Sequence, residues 1–145
     1  MLIREIRKLS SKRLVVDHAR ATRYSAPDGF SCLIADSTRI GSGSDVGDGV
    51  RIGAHSKIGL CVVVGEGATI HAWTEIGSSS VIGCGVVVGD GAVVGDGVVV
   101  GKSAKIGKGA MLGDWSKLGS NSEISAGAVL DAAAVLGEDV KDVAR

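Results

Sequence analysis

Proton transfer near neutral pH is the chemistry that imidazole serves best, because its ordinary pKa lies at about 6.5. This chain of 145 residues has three histidines, His18, His55 and His71. His71 stands in the stretch TIHAWTEI, two residues before Trp73, and Trp73 follows His55 by 18 positions. Asp36 and Asp90 are the carboxylates placed to join them. Such a set can provide a general base with an aromatic wall beside it. Two imidazoles and a carboxylate can also hold a divalent metal ion. Which of these is available depends on the elements that carry the residues.

Those elements are written in a period of six. From Ile34 to Leu136 every sixth residue is Ile, Val or Leu, which makes 18 consecutive sites in one register. Two residues before each site stands a small residue, from Cys32 and Thr38 to Ala128 and Ala134. Residues two apart on a strand share a face, so both columns point inward and the residue between them points out. Gly follows the aliphatic site at 14 of the 18 positions, with Ala35, His71, Ser125 and Asp131 as the exceptions. The expected role of that glycine is a corner whose backbone angles a side chain would forbid. A 3.6-residue helix cannot hold a period of six on one face, and a flat sheet needs longer strands. Short strand and tight corner at a fixed period describe a solenoid.

Hexads such as VGDGVR, IGKGAM and VGDGAV carry a resemblance to the hexapeptide-repeat proteins, and it covers residues 34–139. The resemblance implies an all-β fold, a left-handed parallel β-helix of triangular section with 18 residues per coil. Eighteen hexads then give about six coils. It also implies an expected activity, transfer of an acyl group from acyl-CoA to a hydroxyl or amine, with a surface histidine as general base. His71 is the better candidate for that base and His55 the second. Trp73, Asp90 and Asp36 would line the substrate site at the same corner. No family motif around a catalytic histidine is matched residue for residue in TIHAWTEI.

With 18 residues per coil the surface can be written as columns. Naming the faces A, B and C after Ile34, Ile40 and Val46, face C points outward with Asp45, Val63, Val81, Val99, Lys117 and Val135. Face B does so with Arg39, Lys57, Glu75, Val93, Met111 and Val129. Apolar stripes on an exterior mark an interface, and the family commonly forms trimers. A homotrimer is therefore expected through Val63, Val81 and Val99, with Val93, Met111, Leu60 and Trp115 adjoining.

Composition narrows the classes of function. The 16 basic and 16 acidic residues cancel, so no net charge points to nucleic acid or to a membrane surface. Apolar runs such as 60–64 are far too short to span a bilayer. Met1 is followed by a charged stretch unlike a signal peptide. Three cysteines out of register with one another suit a reducing cytoplasm better than a disulfide framework. One Phe and one Tyr would leave a globular core short of bulk, but a coil buries its own aliphatic column.

Residues 1–30 lie outside the register and read as an N-terminal cap or extension, 31–139 as the β-helix, and 140–145 as a tail. In the first segment Leu2, Ile3, Ile6 and Leu9 recur at roughly helical spacing, residues 14–16 suggest a strand, and Pro27, Asp28 and Gly29 suggest a turn. Seven basic residues up to Tyr24 face only Glu5 and Asp17, as expected of a solvated cap over an open end.

Two functional readings follow. One is the acyltransferase. The other is a non-catalytic structural or oligomerisation module, favoured by a repeat that extrudes no loop between 34 and 136. The A–B corner that carries the histidines also lies across the triangle from face C, away from the expected trimer contact. No resident metal is expected, since only two histidines fall on the solenoid, and no dinucleotide or P-loop fingerprint is present.

Overall fold

The computed structural model describes residues 6–9, 13–16, 23–25, 31–34, 38–41 and 43–140, with side chains from 38 onward. The described residues contain strands and turns and no helix. His18, Asp36, the 27–29 turn and most of the tail fall outside them.

From Ser31 to Leu136 the chain lays down 18 short strands, six on each face of a triangular solenoid. Each strand below the last coil pairs in parallel with the strand 18 residues on, so Ile52, Ile70, Val88, Ile106 and Ile124 form one vertical column. The corners are laddered too. The Trp73 amide donates to the Ala54 carbonyl at 3.0 Å, and the Gly91 amide to the Ala72 carbonyl at 3.0 Å. Parallel strands normally need a long crossover; here the rest of the coil is that crossover.

Both expected inward columns are buried. Val46, Val64, Val88 and Ile70 represent the aliphatic column, and Val50, Val62, Ala68 and Ala92 the small one. Each fully buried Val or Ile contributes about 1.5–3 kcal/mol. The hydroxyls in the small column are satisfied by corner carbonyls. Ser44 donates to Gly59 at 2.9 Å, Ser80 to Gly95 at 2.9 Å and Ser122 to Gly137 at 2.8 Å. A hydroxyl can thus replace a methyl at this position without an unmet polar group.

The glycines work differently from the sequence-based expectation. Left-handed backbone occurs every six residues from Gly43 to Asp139, but at the third residue after the aliphatic site rather than the first. That column tolerates side chains: His55, Cys61, Trp73, Ser79, Ser103, Trp115, Asn121, Ala133 and Asp139 all have φ near +60°. The glycine directly after the aliphatic residue has ordinary angles and is needed for space. A Cβ on Gly53 would stand 2.5 Å from the Ala72 nitrogen, and one on Gly65 2.6 Å from the Cys84 nitrogen. The backbone of the next coil passes where the side chain would be.

The N-terminal segment corrects a second expectation. Ile6–Leu9 is a strand, paired antiparallel with Arg13–Val16. The apparent helical spacing was two residues of a strand read together with two that lie outside the described part. Arg13–Val16 in turn pairs antiparallel with Ser44–Gly47 on face C, and Arg23–Ser25 with Ser31–Ile34 on face A. These pairings occupy edge amides and carbonyls that would otherwise accept a foreign strand.

Candidate functional site

The A–B corner joins face A to face B through 53–56, 71–74, 89–92 and 107–110 in successive coils. It brings together four of the five residues singled out by their chemistry. His55 and Trp73 occupy the left-handed position of consecutive coils, with φ of 61° and 63°. Their rings stack, with centroids 4.4 Å apart and planes 17° from parallel. Trp73 nevertheless stays 64% exposed, so its outer face is free.

His71 occupies the crowded position, where a Cβ is disfavoured. Among the described residues it is the only non-glycine of its column with a described coil above it; Ser125 and Asp131 belong to the last coil. Its amide donates to the Val88 carbonyl at 3.0 Å, so the ladder hydrogen bond of the column is kept with the side chain in place. Its carbonyl accepts from Ser56 at 3.0 Å and from Thr74 at 2.8 Å, which fixes the backbone from below and from within its own coil.

The imidazole points to solvent and about half its surface is accessible. Its Nδ1 lies 3.9 Å from Oδ1 of Asp90. That exceeds hydrogen-bond range, so the contact is electrostatic, and it strengthens when the ring takes up a proton. The arrangement is an accessible imidazole with a carboxylate beside it, able to accept a proton and hold the resulting charge. No group of three or more His, Cys, Asp or Glu that could bind a metal ion occurs among the described residues.

Other features escaped the sequence reading. At the B–C corner the Ser78 amide donates to Oδ1 of Asp96 and the Asp96 amide to Oδ1 of Asp114, each at 2.8 Å. These carboxylates thus satisfy corner amides of the coil below. A shallow groove of about 270 Å³ runs beside them over Lys57, Glu75 and Val93. The Trp115 ring lies across Gly97 in the coil below. The 18-residue spacing of Ser78, Asp96 and Asp114, and of Gly97 and Trp115, is the signal in the sequence for the first and the last; the groove depends on side-chain conformations that spacing does not carry.

The expected interface residues are on the surface to different degrees. Leu60, Trp115, Met111, Val81 and Val99 are exposed, while Val63 and Val93 are half-buried.

Comparison with known proteins agrees with this architecture. Residues 97–132 match the model of the bacterial transferase hexapeptide (six repeats), and 74–102 that of the hexapeptide repeat of succinyl-transferase. The chain carries the hexapeptide repeat of these transferase models. No curated protein sequence matches it. Among solved structures, this chain is similar to a hexapeptide transferase family protein from Anaplasma phagocytophilum. The two are 23% identical over 76% of this chain and 72% of that one, with a TM-score of 0.51. It is also similar to the UDP-N-acetylglucosamine acyltransferase of Francisella novicida, 17% identical over 77% of this chain and 54% of the other, with a TM-score of 0.66. At these identities the likeness establishes the fold, a left-handed parallel β-helix. No helix among the described residues is long and apolar enough to cross a membrane.

Proposed function

We propose that this hexapeptide-repeat protein is a cytoplasmic acyltransferase, moving an acyl group from acyl-CoA to a hydroxyl or amine, with His71 as general base. The observation that carries the reading is His71 itself, an imidazole held where the fold otherwise requires glycine. A residue kept against the local packing rule points to a role outside packing. In the step proposed, the imidazole takes the proton of the acceptor as its oxygen or nitrogen attacks the thioester carbonyl. The new C–O or C–N bond forms, the C–S bond breaks, and the imidazolium returns the proton to the departing CoA thiolate. Asp90 stabilises the imidazolium between the two transfers, and His55 and Trp73 form the adjoining wall.

The active assembly in this reading is a homotrimer packed through face C. Val81 and Val99 are 39% and 38% exposed there, and Leu60 and Trp115, at 54% and 66%, extend the apolar surface to the B–C corner. Large exposed side chains in one tract favour association, and cyclic symmetry closes it.

Calorimetric titration of acetyl-CoA and free CoA into the purified protein tests the proposal. Saturable binding at one site per chain, weakened in His71→Ala, is the expected result. No heat at millimolar CoA would overturn it.

One observation favours a second reading, a non-catalytic structural module. Left-handed corners recur from 43 to 139 without a single extruded loop, so no inserted segment walls an acceptor pocket. The same titration separates the two readings.

A further inference from the structure

Above Trp73 the corner is bare. The left-handed column continues from Trp73 through Gly91, Gly109 and Gly127, and a Cβ built on any of these three meets nothing within 4 Å. This contrasts with Gly97, whose equivalent space is filled by the Trp115 ring. Residues of one column rise by the strand spacing of about 4.8 Å, close to the distance at which flat rings stack. His55 and Trp73 already use that interval for their 4.4 Å stack. The next place in the stack, at Gly91, holds no side chain.

The groups beside that place are polar and reach solvent. Asp90 precedes Gly91 directly, is 55% exposed, and has His71 at 3.9 Å as its polar neighbour. Lys108 stands one coil above Asp90 on the same corner column and is exposed. The coils are tied there by the Gly109 amide donating to the Asp90 carbonyl at 2.9 Å.

We infer that this corner is a binding site for a purine nucleotide, with the base stacked on the outer face of Trp73 in the space over Gly91. The two fused rings of a purine match the area of an indole better than a pyrimidine does. A carboxylate offers only acceptors, and it suits the N–H groups that purines carry on their edges. The Lys108 ammonium is a point charge for phosphate. His55 backs Trp73 and keeps the indole from turning away. The inference goes beyond acyl transfer and stands without it, since it concerns binding alone.

The chain has two tryptophans, so Trp115→Phe leaves Trp73 as the sole tryptophan, read by selective excitation of its indole. Guanosine 5′-diphosphate, adenosine 3′,5′-bisphosphate and uridine 5′-monophosphate would be titrated into that variant. Saturable quenching by a purine nucleotide, stronger than by the uridine compound, is expected. Quenching by the adenosine compound alone assigns the site to the nucleotide end of a CoA donor. Quenching by the guanosine compound assigns it to a separate nucleotide.

Gly91→His fills the space with a side chain that this column accepts at position 55, and should weaken binding about 5- to 160-fold, the range for one stacked base. Asp90→Ala should weaken it independently and guards against misfolding of the first variant. Trp73→Ala, followed by calorimetry, should match Gly91→His. The inference is overturned by an absence of saturable quenching at millimolar purine nucleotide. It is equally overturned by quenching that survives Gly91→His in a folded protein. Failure here would leave acyl transfer at His71 untouched, since that reading is tested by CoA binding to the His71 variant.

Discussion

The two glycine columns respond oppositely to alanine, and Gly101 and Gly109 make the test. A Cβ on Gly101 would lie 2.5 Å from the Ser120 nitrogen and 2.7 Å from the Gly119 carbonyl carbon. Ordinary contact begins at 3.4 Å, so the coils must part locally by about 0.9 Å. The hydrogen bond from the Gly101 amide to the Leu118 carbonyl, now 2.8 Å, cannot survive that displacement intact. Overpacking costs about 1–3 kcal/mol and a weakened backbone hydrogen bond about 0.5–1.5 kcal/mol. Gly101→Ala should therefore destabilise by about 2–4 kcal/mol. Gly109 has φ of +70° and open space at its Cβ. Alanine there costs about 1–2 kcal/mol for the left-handed backbone and regains about 0.4–1 kcal/mol through the unfolded chain, a net of roughly 0–1.5 kcal/mol. Thermal melts followed by circular dichroism should place Gly101→Ala on the order of 10 °C below Gly109→Ala. Equal midpoints, or the reverse order, would refute the steric account of the column.

Three further outcomes follow from the same geometry. His71→Gly restores the rule of its column, and relief of crowding should offset the backbone entropy of glycine, about 1 kcal/mol. Its melting midpoint should equal or exceed that of the parent while CoA-dependent transfer is lost; a clear fall in stability would show that His71 is a packing residue. Val99→Arg, placed in the middle of the face C stripe, should reduce the sedimenting mass from trimer to monomer with an unchanged circular dichroism spectrum, and a parent protein that already sediments as a monomer would remove the interface. Asp114→Ala deprives the Asp96 amide of its partner and should cost about 1 kcal/mol, whereas Asp114→Asn keeps an acceptor and should melt within experimental scatter of the parent.

The architecture was legible because one constraint repeats. Eighteen aliphatic sites in register define the inward column, and only a strand-and-corner coil satisfies them. The expected role of glycine failed for a physical reason. A tight corner suggests dihedral freedom, but in a stacked solenoid the scarcer quantity is room between coils. Sequence alone does not distinguish a glycine needed for its angles from one needed for its missing Cβ. The N-terminal strand was not legible because four apolar residues at such short spacing fit either period, and only Ile6 and Leu9 of the four lie in the described strand. At the candidate site, the 18-residue spacing correctly placed Trp73 over His55. It could not give the stacking angle, the 3.9 Å approach of Asp90 to His71 or the open track above the indole, since these depend on rotamers and on what neighbouring coils lack.

A repeat also makes deviations measurable, because every position has equivalents in the coils above and below. Ser125 and Asp131 break the glycine column in the last described coil, where no described backbone lies above them. His71 breaks it in the interior, beneath Asp90 and beside Trp73. Its carbonyl is held by Ser56 and Thr74. One coil later, Gly91 leaves vacant the place that a ring could fill. Packing accounts for each of these residues separately, but gives no reason for an accessible imidazole, a carboxylate, a bare indole face and an empty ring position to share one corner. Ligand chemistry does give such a reason, and that conjunction is why the A–B corner, more than the valine faces, is the place to look for what this β-helix does.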